Sequence, residues 1–340
     1  MNKLNKIEER FIYKGAIKEL KNLKELKIKN ALVFTGKKSF EKIKPVFEEN
    51  INFETFYYND FSTNPKLEEI EKAVNKINYS FDTIVAIGGG SVIDFAKVFK
   101  YKVSSLTPLI AIPTTAGTGS EETQFAVYYN NGIKHSLDDE TIQPEIKIVD
   151  VNFIVDNPKF LKICTGLDAF CQAIESYFAC NSTETSRNFA KISMELSANN
   201  LVDYILSNNE EASLNMALAS NYAGRAINIS RTTAAHAMSY SITTKYGIPH
   251  GLAVAINIGK LIDFNANVDE TSLNDKRGVL FVKEKIAEIY SILKTNNAEE
   301  YFKNLFNKVE IEIPNVKIDY IDPERLKNNP RKGVEKVFMK

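Results

Sequence analysis

The chain has 340 residues, 44% of them hydrophobic and 25% charged, with 43 basic side chains against 43 acidic ones. That length accommodates two domains, each able to bury a core. A formal net charge of zero gives no electrostatic footprint for nucleic acid, and no apolar run approaches the ~20 residues of a membrane span. The opening stretch MNKLNKIEERFIYKG is charged with no apolar core behind it, so it does not read as a signal peptide. Cys164, Cys171 and Cys180 are odd in number and irregularly spaced. With no export signal, they predict reduced thiols in the cytoplasm.

In chain order, NALVFTG (30–36), TIVAIGGG (83–90) and PLIAIPTT (108–115) are short apolar runs ending in Gly or Thr, and they read as buried parallel strands. KLEEIEKAVNKI (66–77) and VIDFAKVFKYK (92–102) read as helices between them. This alternation predicts a doubly wound, Rossmann-like α/β domain over 1–157. FAVYYNNGIKHSL (125–137) predicts a hairpin turning at Asn130, Asn131 and Gly132. From Pro158 onward helical periodicity dominates, as in LNMALASNYAGRAINIS and GVLFVKEKIAEIYSILK. The boundary near Pro158 leaves an all-α domain over 158–340. Its last residues, NNPRKGVEKVFMK, read as a solvated basic tail.

Two loops carry phosphate chemistry. IGGGSVIDFAK (87–97) puts three glycines between a strand and a helix, where backbone can approach a pyrophosphate and the helix N-terminus favours its charge. IPTTAGTGSE (112–121) adds small residues and hydroxyls after a neighbouring strand. At the end of the first of these strands Gly36 is followed by Lys37 and Lys38 rather than by a carboxylate, which favours NADP(H) over NAD(H). A solvated lysine pair is the alternative reading.

The metal signals lie in the second half. Asp168 and Gln172 are four residues apart on a predicted helix, as are His236 and Tyr240 on another. The break Ile248-Pro249 can return His250 towards His236. One carboxylate, one amide oxygen and two imidazoles form a mixed O/N set suited to a divalent first-row metal.

Together GGGSVIDFAK, PTTAGTGSE, GLDAFCQAIESY and HAMSYSITTKYGIPHG resemble the iron-containing (group III) alcohol dehydrogenase family, over nearly the whole chain and in order. The resemblance implies a nucleotide-binding α/β domain, a helical domain and a metal in the cleft. It places Gly88, Gly89, Gly90 and Ser91 on the pyrophosphate, and Asp94, Lys97, Thr114, Thr115, Thr118 and Ser120 along the cofactor. The family's ligands are an Asp, a His four residues later and two further histidines fourteen apart. Asp168, His236 and His250 match. Gln172 stands in place of the first His, and Tyr240 where many members carry a non-ligand His linked to proton transfer.

Within the family the segments around Asp168 and His236 look most like the phosphonoacetaldehyde reductases. The implied reaction is NAD(P)H-dependent reduction of a short aldehyde, anionic in that branch, with Fe²⁺, Zn²⁺ or Mn²⁺ as Lewis acid and Tyr240 as proton donor. Of the arginines Arg187, Arg225 and Arg231, the last is nearest His236 in sequence and is the expected partner of a substrate anion. The resemblance also implies a homodimer. Alternatives are a sugar or polyol dehydrogenase of the same superfamily, a dehydroquinate synthase-like cyclase, and a non-catalytic binding module.

Overall fold

The computed structural model describes residues 9–23 and 27–339, the side chain of Lys38 excepted. Two compact units divide between Asn157 and Pro158.

The first unit is built on a parallel sheet of β1 (Glu9–Tyr13), β2 (Asn30–Thr35), β3 (Glu54–Tyr58), β4 (Thr83–Gly88), β5 (Leu109–Pro113) and β8 (Ile146–Asp150), in the order β1-β8-β5-β4-β2-β3. A separate antiparallel hairpin pairs β6 (Phe125–Asn130) with β7 (Ile133–Asp138). Its two turn residues, Asn131 at φ 51° and Gly132 at φ 76°, take the left-handed backbone that a two-residue hairpin turn requires.

Both faces of the sheet are covered, which explains the continuous apolar runs. Leu32, Phe34, Ile84 and Ala86 pack on one face against α2 (Leu67–Lys76) and α3 (Gly90–Val103). Ala31, Val33, Val85 and Ile87 pack on the other, where Phe40, Ile43 and Phe47 of α1 (Lys37–Glu49) join them. Thus the helix after β2 and the helix after the adjacent β4 lie on opposite faces. Their divergence makes the crevice outside the carboxyl ends of β2 and β4 the topological switch point, where ligands of such sheets bind.

The second unit is helical: α4 (Lys159–Phe178), α5 (Glu184–Leu206), α6 (Glu210–Ser230), α7 (Ala234–Tyr246), α8 (His250–Ala266), α9 (Val279–Leu293), α10 (Ala298–Lys308), and the short α11 (Pro323–Leu326) and α12 (Val334–Phe338). From Lys162 to Phe178 every residue of α4 except Thr165 is buried, so α4 runs through the core. No described helix is long and apolar enough to cross a membrane.

The expectation of a solvated C-terminal tail is corrected here. Asn328 and Asn329 are buried. Asn328 donates to the carbonyls of Ser230 and Thr232 at 2.8 and 2.9 Å, and its own side-chain oxygen accepts from Asn181 N. Val334 and Phe338 are buried too. Side-chain amides that satisfy backbone groups between helices, with apolar anchors behind them, outweigh the basic composition of this segment.

Candidate functional site

The strand ends of the first unit gather the predicted phosphate loops. Thr35 is in register with Ile87, and Gly88 with Pro113, so Gly36, Gly88–Gly90 and Thr114–Thr118 follow three neighbouring strands at one edge. Thr114 N donates to Gly88 O at 3.1 Å. A Cβ on Gly90 would lie 2.7 Å from Oγ1 and Cγ2 of Thr118, and one on Gly88 would lie 2.4 Å from Val92 Cγ2. Glycine is therefore required where the two loops touch. Gly89, Gly90, Ser91, Thr115 and Thr118 all stay partly exposed. Gly36 caps α1 and the exposed Lys37 opens it; the Lys38 side chain lies outside the described residues.

Asp94, Lys97 and Ser120 form a clamp beneath this edge. The fully buried Lys97 ammonium donates to Ser120 Oγ, Thr123 Oγ1 and Phe125 O at 3.2, 2.9 and 3.0 Å. Its three N–H donors are thus directed at protein acceptors. Asp94 accepts from Ser120 Oγ at 2.5 Å and from Val127 N at 2.9 Å. Burial pushes the Lys97 ammonium down to about 8, against the pull of Asp94. The same burial pushes the Asp94 carboxyl up. The clamp ties the helix after the glycine loop to the threonine-rich loop.

In the helical unit, Asp168, His236 and His250 each offer a ligand atom within 4.8 Å of the others. Asp168 and Gln172 share one face of α4 and are 3% and 4% exposed, so neither belongs to a charged surface. His236 sits in the first turn of α7 and His250 opens α8. Between them, Gly247 ends α7 at φ 67° and Pro249 is the N-cap of α8. Gly251 fixes the approach: a Cβ there would come within 1.9 Å of Cys164 O and 2.8 Å of Asp168 Cβ. Only glycine lets α8 sit this close to α4, and the contact brings His250 beside Asp168.

The hydrogen bonds select the imidazole tautomers. The Ser239 hydroxyl gives its hydrogen to His236 O at 2.7 Å. It therefore accepts from Nδ1 of His250 at 3.1 Å, which leaves Nε2 of His250 as a lone pair, 3.9 Å from Asp168 Oδ1. His236 gives Nδ1 to the carboxylate of Glu175 and turns Nε2 to within 3.4 Å of the same Asp168 oxygen. Two nitrogens facing one carboxylate form an arrangement that a shared cation satisfies. Ligands about 2.0–2.2 Å from a shared tetrahedral ion stand about 3.4 Å apart, close to the observed spacing. Nε2 of His236 and Oε1 of Gln172 are buried with no hydrogen-bond partner, and a divalent metal would satisfy both. These residues fit such an ion.

Glu175 is the residue that sequence reasoning missed. It is fully buried, and its Oε1 accepts from Thr233 N, Thr233 Oγ1 and Ala235 N at 3.0, 2.6 and 2.9 Å. One carboxylate thus caps the N-terminus of α7 and orients the imidazole that α7 carries. Its spacing of three from Gln172 and seven from Asp168, on the same helix face, was the available signal. Burial by itself would lower the His236 imidazole, but the Glu175 and Asp168 carboxylates outweigh it and raise the group to about 9. The site favours positive charge. Burial pushes the Cys171 thiol well up and Cys164 to about 11, so neither presents a thiolate.

The other predicted residues are dispersed. Tyr240 lies parallel to His250, ring centroids 6.1 Å apart. Arg231 ends α6 with a left-handed backbone at φ 62°, and its guanidinium donates to Asn228 O at 3.0 Å. Arg225 lies 3.8 Å over Phe189, and Arg187 donates to Ser182 O.

Residues 9–151 match the iron-containing alcohol dehydrogenase family, and residues 162–320 match the C-terminal domain of the Fe-containing alcohol dehydrogenases. An NAD-dependent methanol dehydrogenase of Bacillus methanolicus is 31% identical over 75% of this chain and 73% of its own length. A phosphonoacetaldehyde reductase of Streptomyces viridochromogenes is 30% identical over 59% and 58%. Against the bifunctional aldehyde-alcohol dehydrogenase AdhE of Escherichia coli, 31% identical over 64% of this chain, the chain spans 28% of the relative's length. The crystal structure of sulfoacetaldehyde reductase from Bifidobacterium kashiwanohense in complex with NAD⁺ superimposes with a TM-score of 0.75 at 25% identity, covering 96% of this chain and 93% of that one. With the parallel-sheet domain, the helical domain and the Asp–His–His cluster in place, the chain belongs to the iron-containing alcohol dehydrogenase family.

Proposed function

We propose that the protein is a metal-dependent, NAD(P)H-linked aldehyde reductase acting on short, anionic aldehydes such as phosphonoacetaldehyde, which it converts to 2-hydroxyethylphosphonate. The observation that carries this reading is the convergence of Asp168, His236 and His250 on one point. When bound, the metal supplies Lewis-acid polarisation of the aldehyde oxygen and the nicotinamide supplies hydride. Asp168, His236 and His250 hold the ion, with Gln172 adding its unpartnered amide oxygen, and Glu175 fixes His236 in the ligating tautomer. Gly88–Ser91 and Thr114–Thr118 cradle the dinucleotide phosphates, which the clamp of Asp94, Lys97 and Ser120 supports. Tyr240 supplies the proton that the product oxygen takes up.

Support for an anionic substrate comes from two relatives whose names specify a phosphonate and a sulfonate aldehyde. Support for NADP(H) is the exposed Lys37 at the α1 start, where no carboxylate stands. On the family resemblance the working form is a homodimer, and the three unpaired cysteines support a cytoplasmic location. The test follows NADPH and NADH absorbance with phosphonoacetaldehyde and with neutral aldehydes, before and after chelation and with Fe²⁺, Zn²⁺ or Mn²⁺ restored. Metal-dependent oxidation favouring phosphonoacetaldehyde is the expected result. Turnover that survives complete metal removal, or that is confined to neutral aldehydes, contradicts the reading.

A further inference from the structure

The Asp168, His236 and His250 cluster is not equally closed on all sides. Asp168 and His236 are buried, whereas the His250 side chain is 36% exposed, so the cluster opens past His250. Beside that opening Tyr240 stacks on His250 with an angle of 6° between the rings. Over the Tyr240 ring, 4.7 Å from its centroid, lies the guanidinium of Arg325 on α11. Arg325 is therefore one ring removed from a side chain of the cluster.

Other arginines of this unit are engaged elsewhere. Arg277 donates to the carbonyls of Ser182 and Ala179 and to Asp275, and Arg331 donates to Phe264 O. Arg231 turns to Asn228. Among the described residues, Arg325 has no hydrogen bond from its guanidinium to a protein acceptor; its ion-pair partner, Asp322, stays 3.9 Å from Nε. Contact with Tyr240 uses the flat face of the guanidinium, and its N–H donors radiate in the plane, so the fork remains available. Arg325 also lies beyond residue 320, where the match to the family's C-terminal domain ends.

We propose that Arg325 is a specificity-determining residue that receives the anionic group of the substrate, the part first expected of Arg231. This inference rests on the proposed aldehyde reduction at the cluster. A planar fork pairs bidentately with a phosphonate, sulfonate or carboxylate, and only the Tyr240 ring separates Arg325 from His250. A dinucleotide phosphate has the same chemistry, so the test separates the two sources.

Wild type, Arg325→Gln and Arg325→Lys are compared for kcat/KM with sulfoacetaldehyde and with propanal, for KM of NADH and NADPH, and for calorimetric binding of ethylphosphonate. The sulfoacetaldehyde-to-propanal ratio falls about 30-fold in Arg325→Gln, the scale of one charge-assisted contact, with partial recovery in Arg325→Lys. Ethylphosphonate binding is lost in parallel. An unchanged ratio, as a merely structural role would give, overturns the proposal, and so does a loss that falls on the dinucleotide KM. If the wild type reduces no aldehyde, the functional reading fails by itself. Ethylphosphonate binding still decides Arg325, because equal binding by wild type and Arg325→Gln, or none by either, overturns its role.

Discussion

The Glu175 carboxylate binds Nδ1 of His236 with one oxygen and the start of the helix carrying His236 with the other. A single side chain on α4 thus sets the position, the tautomer and the charge of a residue 61 positions away. Partners of this kind behind a ligating imidazole are worth about 10–100-fold in metal affinity. Glu175→Gln keeps the shape but removes the charge. Metal affinity, read by competition with a chromogenic chelator, drops by about that factor, while the far-UV spectrum is retained. Unchanged affinity contradicts the role given to Glu175.

Proton and metal compete for His236. Its imidazole titrates near 9 in the metal-free protein, raised from 6.5. A raised value means that the protonated form contributes stability below the unfolded value of 6.5, and that this contribution is lost as pH rises through about 9. Metal binding runs the other way, because the ligating form is neutral. Apparent Zn²⁺ affinity climbs roughly tenfold per unit from pH 6.5 to 8.5, and the metal-free protein melts progressively lower from pH 7 to pH 9.5 than its stability at pH 7 implies. A flat affinity over that range refutes the competition.

Gly90 and Thr118 form one contact between the glycine-rich and threonine-rich loops. Gly90→Ala forces its methyl against Thr118, at 2.7 Å from two side-chain atoms. Overpacking of this kind costs about 1–3 kcal/mol. The double variant Gly90→Ala with Thr118→Ala removes both crowded atoms and recovers more than half of that stability in chemical unfolding. Additive losses in the two variants would show that the loops do not press on one another.

The parts legible in the sequence are those where burial leaves a one-dimensional pattern. The runs of β2, β4 and β5 are apolar on both faces, and Asn131-Gly132 names its own turn. β8 gave no such signal because IKIVD carries Lys147, which is fully buried. β1 and β3 are five-residue strands at the two edges of the sheet, only partly buried for most of their length. The Ile248-Pro249 break predicts the return of His250 towards His236, and the family resemblance adds Asp168 to them. Glu175 looks like any helical glutamate until the N-terminus of α7 folds onto it. Arg231 stands nearest His236 in sequence, whereas its left-handed backbone and its bond to Asn228 are set by the end of α6, which sequence proximity does not show. Arg325 reaches Tyr240 from 85 positions away in sequence, and no local pattern announces that.

The most direct measurement is metal content and turnover on the same samples of wild type, Asp168→Asn and His250→Ala, each loaded with Zn²⁺ or Fe²⁺ and freed of excess. The account predicts one tightly held ion per wild-type chain, substoichiometric metal in both variants, and NAD(P)H oxidation by an aldehyde that falls with the metal. Variants that keep a full ion at this site, or that keep turnover after losing it, would contradict the assignment of Asp168, His236 and His250 as the metal centre.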